Sequence, residues 1–342
     1  GNIYKPRSWN MALSEPPLTD NDFNIETDES TPIGSSHAPI DDDPIVPDSK
    51  CLRCLERVFT RKVLELFAEL SGEFIGTFLL TLIITTVVAT DVLLGAEVSL
   101  WNVAFISGMG VGLSIYSTSY FSNSHLNPAV TLAFGIVRWR VFSWKKIIPY
   151  ILIQVLGGFL AAAMTYAMYW DSIALFESKN DIVRGQNSSL LTASIFGTYF
   201  PNPAYKLYQN RPNDAVSPFK AMVIEAWGTA LLVFMIFSFS DPSNSSVGSS
   251  KSKVAVPVLI GLTVAVIIAL YAPLTQAGLN PARDFGPRLF ALMAGWGGVA
   301  IPGPRNGSWV YIVGPIIGGP LGGILYDWVV ARMAKRRYSI VQ

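Results

Sequence analysis

Leu279-Asn280-Pro281-Ala282-Arg283-Asp284-Phe285-Gly286-Pro287-Arg288 lies between two long apolar segments in the last third of the chain. Asn-Pro opens a helix: Asn is a good N-cap, and Pro suits the first helical position, where its missing N–H costs nothing. The charged pair Arg283-Asp284 follows where the hydropathy is that of a membrane. Charge there is expensive and marks a functional site by default. The same opening occurs once more, in His125-Leu126-Asn127-Pro128-Ala129-Val130. One Asn-Pro-Ala reads as a plain helix cap. Two, each after an apolar helix, require a common explanation.

Composition supplies the setting. Of 342 residues, 51% are hydrophobic and 14% charged, the profile of a polytopic membrane protein rather than a soluble domain. The net charge of +1 hides an uneven distribution, with acids in the first fifty residues and bases beside apolar runs. No basic domain or binding motif points to nucleic acid. Cys51 and Cys54 are the only cysteines, and His37 and His125 the only histidines. They form neither a disulfide framework nor a metal-ligand set, and no cofactor is expected.

Residues 1–49 are rich in Pro, Ser, Thr, Asp and Glu without apolar periodicity. Such a segment buries too little surface to offset its ordering entropy and reads as a disordered acidic tail. Cys51 and Cys54 read as juxtamembrane acylation sites or as inert. Apolar stretches follow at about 67–90, 101–121, 147–170, 219–240, 254–272 and 309–331. Each has the roughly 20 residues a spanning helix needs. Two shorter apolar helices, about 128–137 and 281–292, follow the Asn-Pro pairs and must be re-entrant, their polar ends facing protein or water. The expectation is an all-α membrane protein of six transmembrane helices and two re-entrant half-helices.

Lys and Arg set the sidedness. Clusters at 53–62, 138–146, 251–253 and 332–337 share one side of a six-span protein, which places both termini in the cytoplasm. The long segment 171–218 then faces outward. Asn187-Ser188-Ser189 in it is a possible glycosylation acceptor, although Asn244-Ser245-Ser246 matches the same pattern on the other side. The expected organisation is the tail 1–49 and a channel domain 50–342. Within the latter fall repeat one (about 63–170), an outer loop (about 171–218), repeat two (about 219–333) and a short basic C-terminal tail.

The repeat is visible in the order of residues. Glu73-Phe-Ile-Gly-Thr77 lies in the first span and Glu225-Ala-Trp-Gly-Thr229 in the fourth. Glu73 precedes Asn127 by 54 residues and Glu225 precedes Asn280 by 55. Three spans per half is an odd number, so the halves sit inverted, with the functional site at their interface near the midplane. The half-helices then meet with their N-termini together, each carrying roughly half a positive charge. Asn127 and Asn280 offer amide donors there, and the segments before them expose carbonyls of Ser124, His125, Leu126, Gly278 and Leu279. Water or a hydroxyl can exchange partners down such a track, while cations meet the helix ends and Arg283, and the oriented central water blocks proton hopping. For Glu73 and Glu225 the preferred role is to accept hydrogen bonds from the irregular backbone; a proton relay is the alternative.

These residues resemble one family, the major intrinsic proteins or aquaporins, over about 63–333, with both signature motifs intact as Asn127-Pro128-Ala129 and Asn280-Pro281-Ala282. The resemblance implies a homotetramer with one pore per subunit. Asp284, Arg288, Pro315-Ile316 and the loop Gly197–Pro203 look like the aquaglyceroporin branch. Asp284 in the first turn suits the helix dipole and can hold a loop in place. Alignment on the two Asn residues puts the selectivity filter on Ser107, Ile268, Ala277 and Arg283. Glycerol facilitators usually carry a large aromatic at the first position and often another at the third, whereas here both are small. Ile268 narrows the gap, and Trp101, Phe105 or Tyr271 are candidates to lean in from off-register positions. The resemblance therefore implies a permissive channel in a lipid bilayer, expected in the plasma membrane, passing glycerol, water, small polyols and urea. A water-selective channel and a gradient-coupled transporter are the alternatives. No nucleophile–base pair or phosphate-binding loop supports an enzyme.

Overall fold

The computed structural model describes residues 60–94, 99–205, 216–242, 244 and 254–333. The tail, Cys51 and Cys54, and the basic residues at 251–253 and 334–337 lie outside them. Eight principal helices follow one another: α1 (Arg61–Leu94), α2 (Leu100–Thr118), α3 (Pro128–Val137), α4 (Ile147–Lys179), α5 (Pro218–Phe239), α6 (Val256–Thr275), α7 (Pro281–Ala291) and α8 (Val310–Leu325). No strand occurs among the described residues. Six helical segments, built on α1, α2, α4, α5, α6 and α8, are long and apolar enough to cross a membrane; α3 and α7 are too short. The protein is an integral multi-pass membrane protein with the helix count the hydropathy implies.

Sequence chemistry explains where the short helices start. Asn127 Oδ1 accepts from Ala129 N at 2.9 Å, and Asn280 Oδ1 from Ala282 N and Arg283 N at 3.0 and 3.3 Å, each with Pro at N1. These are full N-caps that leave both side-chain amides free to bond elsewhere. The helix ends depart more from the hydropathy. α4 runs nine residues past the expected 170, because Glu177 in its last turn is held by Arg184 at 2.7 Å and by Thr192 Oγ1 at 2.8 Å. Polar contacts, not membrane burial, carry that extension. α7 ends at Ala291 and passes into a wider turn, Leu292–Trp296, where Gly295 takes φ +104°.

Close helix contacts repeat between the two halves. A methyl built on Gly158 of α4 would lie 2.5 Å from Ala282 O of α7, and one on Gly319 of α8 would lie 2.6 Å from Ala129 O of α3. Each long third helix of one repeat thus packs backbone-to-backbone on the half-helix of the other, which only a residue without Cβ permits. Two ion pairs join helix ends: Lys146 pairs with Glu69 at 2.7 Å and Arg138 with Asp327 at 3.0 Å.

Candidate functional site

Each half-helix is preceded by a segment of irregular backbone. Ser124 and Leu126 in the first, and Gln276, Ala277 and Leu279 in the second, have φ between +47° and +58°. Non-glycine residues rarely adopt this left-handed conformation, which persists where the surroundings over-determine it. The surroundings are two buried carboxylates. Glu73 accepts from His125 N at 2.9 Å and Leu126 N at 2.7 Å, and Glu225 from Gly278 N at 3.1 Å and Leu279 N at 2.8 Å. In a trans peptide the C=O points opposite to the N–H of the same plane. Holding those four N–H groups outward therefore turns the carbonyls of Ser124, His125, Ala277 and Gly278 away from the glutamates, and all four residues line the central cavity.

The two halves interlock through their asparagines. Asn127 Nδ2 donates to Leu279 O at 3.0 Å and Asn280 Nδ2 to Leu126 O at 2.8 Å. Of the five carbonyls singled out in the sequence, Leu126 and Leu279 thus already receive an amide donor, and Gly278 O accepts from Asn280 N at 2.6 Å. Each Asn amide keeps its second N–H. Pro128, Ala129, Pro281 and Ala282 are buried behind the asparagines.

A single cavity of about 400 Å³ passes this junction. Its wall reaches from Asp91 and Leu100 at one end of the bundle to Ile115, Ser240 and Val256 at the other. Four helices contribute rows at helical spacing: Leu80, Ile84, Val88 and Asp91 from α1; Val103, Ser107, Val111 and Ile115 from α2; Leu232 and Ile236 from α5; Ile260, Val264, Ile268 and Ala272 from α6. The lumen wall therefore combines aliphatic rows from four helices with a polar track of backbone, Asn127, Asn280 and Arg283.

All four expected filter positions, Ser107, Ile268, Ala277 and Arg283, line this cavity. Arg283 is 5% exposed, donates to Phe196 O at 3.4 Å and makes no ion pair among the described residues. Its remaining N–H groups are available to a solute. The off-register aromatics do not lean in. Trp101 and Phe105 are 70% and 55% exposed on the outside of α2, because at 3.6 residues per turn they fall on a different flank from Ser107. Tyr271 turns to Trp227, accepting its Nε1 at 3.1 Å, and lies outside the cavity wall.

Asp284 and Arg288 sit one turn apart, 0% and 1% exposed, and pair at 2.7 Å. Asp284 Oδ1 accepts from Thr198 N and Thr198 Oγ1 at 2.7 and 2.6 Å; Arg288 donates to Ala300 O at 2.6 Å and to Thr198 O. The charges of α7 thereby anchor the outer loop. That loop continues with Tyr199 N donating to Gln276 Oε1 at 2.7 Å and Asn202 Nδ2 to Ala272 O at 3.0 Å, which seats Ser194 and Asn202 at the cavity mouth. Thr198 and Asn202 fall in the Gly197–Pro203 loop that the sequence singled out, though not with these partners; sequence reading missed Gln276, since a single Gln carries no periodic signal. It missed Gln154 for the same reason; its Nε2 donates to Glu73 at 2.8 Å and Thr131 at 3.0 Å. His125 packs its ring against Phe134 and Phe142, with centroids 4.6 and 4.7 Å away, beside the lumen.

Six spans around a cavity that reaches toward both ends of the bundle, interrupted by two opposed half-helices, have the architecture of a membrane channel. The family model described as major intrinsic protein matches residues 61–326. The glycerol uptake facilitator protein of Escherichia coli (strain K12) is 40% identical over 240 residues, covering 70% of this chain and 79% of that protein. A propanediol uptake facilitator of Citrobacter freundii is 40% identical over 240 residues, covering 70% and 82%. In fold, the chain superposes on the X-ray structure of the aquaglyceroporin from Plasmodium falciparum with a TM-score of 0.66 at 24% identity, over 79% of this chain and 99% of that one. The chain belongs to the major intrinsic protein family, in its glycerol-facilitator branch.

Proposed function

We propose that this protein is a passive pore for glycerol and comparable small neutral polyols, with water and urea also passing and ions and protons excluded. The observation that carries the reading is the mixed lumen wall. A polyol presents hydroxyls and carbon-bound hydrogens on opposite flanks, and the wall offers acceptors and donors (the turned carbonyls, Asn127, Asn280, Arg283) together with Val103, Val264 and Ile268. Each hydroxyl can exchange water for a wall partner while its carbon chain rides on apolar surface, so little desolvation cost is left uncompensated. Ser107 and Ala277 leave the constriction wider than an aromatic pair would. The helix N-termini and the unpaired Arg283 oppose cations.

In this reading Ser107, Ile268, Ala277 and Arg283 form the filter, Asn127 and Asn280 the midplane, and Glu73, Glu225 and Asp284 hold the backbone that serves them. The channel domain spans 50–342 behind an N-terminal tail. Both termini are cytoplasmic, and a homotetramer in the plasma membrane is the assembly. The relatives named for glycerol and propanediol uptake support the solute class. Stopped-flow light scattering on proteoliposomes tests it, with sucrose and then glycerol gradients. Rapid re-swelling in glycerol is expected without any proton or sodium gradient. Fast water flux with no glycerol entry would overturn the solute assignment.

A further inference from the structure

Two ionisable side chains carry formal charge on the cavity wall: Arg283 at the constriction and Asp91 at the outer mouth. Asp91 continues the row Leu80, Ile84, Val88 on α1, so the same helical face that lines the lumen ends in a carboxylate. At 1.5 Å per residue, Asp91 lies roughly 16 Å along the helix from Leu80. Leu80 clusters with Leu126 at the midplane junction; Asp91 therefore stands well above it, at the mouth framed by Leu100, Asn202, Tyr205 and Gln276.

Among the described residues nothing structural accounts for an acid there. Asp91 is half-buried, in the last turn of a helix that ends at Leu94. The negative end of the helix dipole disfavours a carboxylate at that position. It makes no hydrogen bond or ion pair among the described residues, whereas Glu69, Glu73, Glu177, Glu225, Asp284 and Asp327 all do. It is also opposite in hydrogen-bonding sense to the filter. An ionised carboxylate only accepts, and a guanidinium only donates.

We propose that Asp91 is a solute-binding and specificity-determining residue: an acceptor at the outer mouth that takes hydrogen bonds from the hydroxyls of an entering polyol ahead of the Arg283 donor. A polyol hydroxyl donates and accepts, so it can use both stations in series. A solute without donors can use only the second. Charge-assisted bonds of this kind are about twice as strong as neutral ones, which raises occupancy of the mouth at low solute concentration. The inference rests on the lumen being a polyol pore.

The test compares purified wild type with Asp91→Leu, Asp91→Asn and Asp91→Glu in proteoliposomes, measuring glycerol and water flux on the same vesicles. Losing one charge-assisted hydrogen bond predicts a glycerol-to-water flux ratio at low glycerol lowered about five-fold in Asp91→Leu and about two-fold in Asp91→Asn. Asp91→Glu restores it. The half-saturating glycerol concentration rises in parallel, and the ratio is insensitive to salt because the solute is neutral. An unchanged ratio overturns the proposal. So does a parallel loss of water and glycerol flux, which marks a structural role, or a defect that disappears at high salt, which marks a mere surface charge. If wild type conducts water but not glycerol, the pore assignment itself fails instead.

Discussion

Asn127 of the first repeat donates its side-chain amide to Leu279 O of the second at 3.0 Å, and Asn280 returns the bond to Leu126 O at 2.8 Å. Each asparagine therefore does three things. Its Oδ1 caps its own half-helix, one Nδ2 hydrogen fastens the opposite repeat, and the other is left for the lumen. The two halves are joined on the wall of the central cavity, so the joint is part of the lumen lining.

Asn280→Asp separates those tasks. The carboxylate still caps α7, but it loses the bond to Leu126 O and places a negative charge at the midplane. We expect glycerol flux to fall at least about tenfold, the effect of losing roughly 1.4 kcal/mol at the barrier, with helix content by circular dichroism retained. Undiminished flux would remove Asn280 from the conduction path.

Ala277→Phe and Ser107→Trp refill the two small positions proposed for the filter. Both are expected to reduce glycerol flux more than water flux, because a bulky ring excludes the larger solute first. An equal effect on both solutes, read by paired stopped-flow traces, would place these residues away from the constriction.

Asp284→Asn leaves Arg288, 1% exposed, without its charge partner. Breaking a buried pair from one side costs about 3–5 kcal/mol, whereas replacing both partners with apolar residues can be nearly neutral. We expect a markedly lower Tm in detergent for Asp284→Asn, partly recovered in Asp284→Leu/Arg288→Met. Recovery should be incomplete because the double variant removes the acceptor of Thr198 N and Thr198 Oγ1, which the Asn amide oxygen retains. Equal stability of Asp284→Asn and wild type would mean that the outer loop is held by other contacts.

Glu225→Gln distinguishes backbone support from proton relay. The amide can accept with one oxygen, while Gly278 N and Leu279 N now use both oxygens of the carboxylate. One buried N–H is then under-satisfied, at a cost of about 1–3 kcal/mol. A supporting role predicts reduced thermal stability with glycerol flux that remains independent of the proton gradient. Flux coupled to protons in wild type and uncoupled in the variant would favour the relay.

The inverted repeat, the six spans and the two half-helices were legible in the sequence because each has a strong local cause. Twenty apolar residues have few alternatives to spanning a bilayer, and Asn-Pro marks a helix start to the residue: both half-helices begin at the Pro. Glu73 and Glu225 stood out because the motif occurs twice. Contacts between distant segments had no such signal. Thr198 meets Asp284 across 86 positions and Gln154 meets Glu73 across 81; the first contact joins two features the sequence marked separately, and Gln154 belongs to no period or motif. Alignment on the motifs pointed to Ser107, but tertiary packing alone decided that Trp101 and Phe105 lie on another flank of α2, turned to the surroundings. A membrane helix is apolar all round, so hydropathy does not record its orientation. Asp91 falls between the two cases. Its charge was plain in the sequence, but that it ends a lumen-facing row without a partner among the described residues depends on how four helices close around the same cavity.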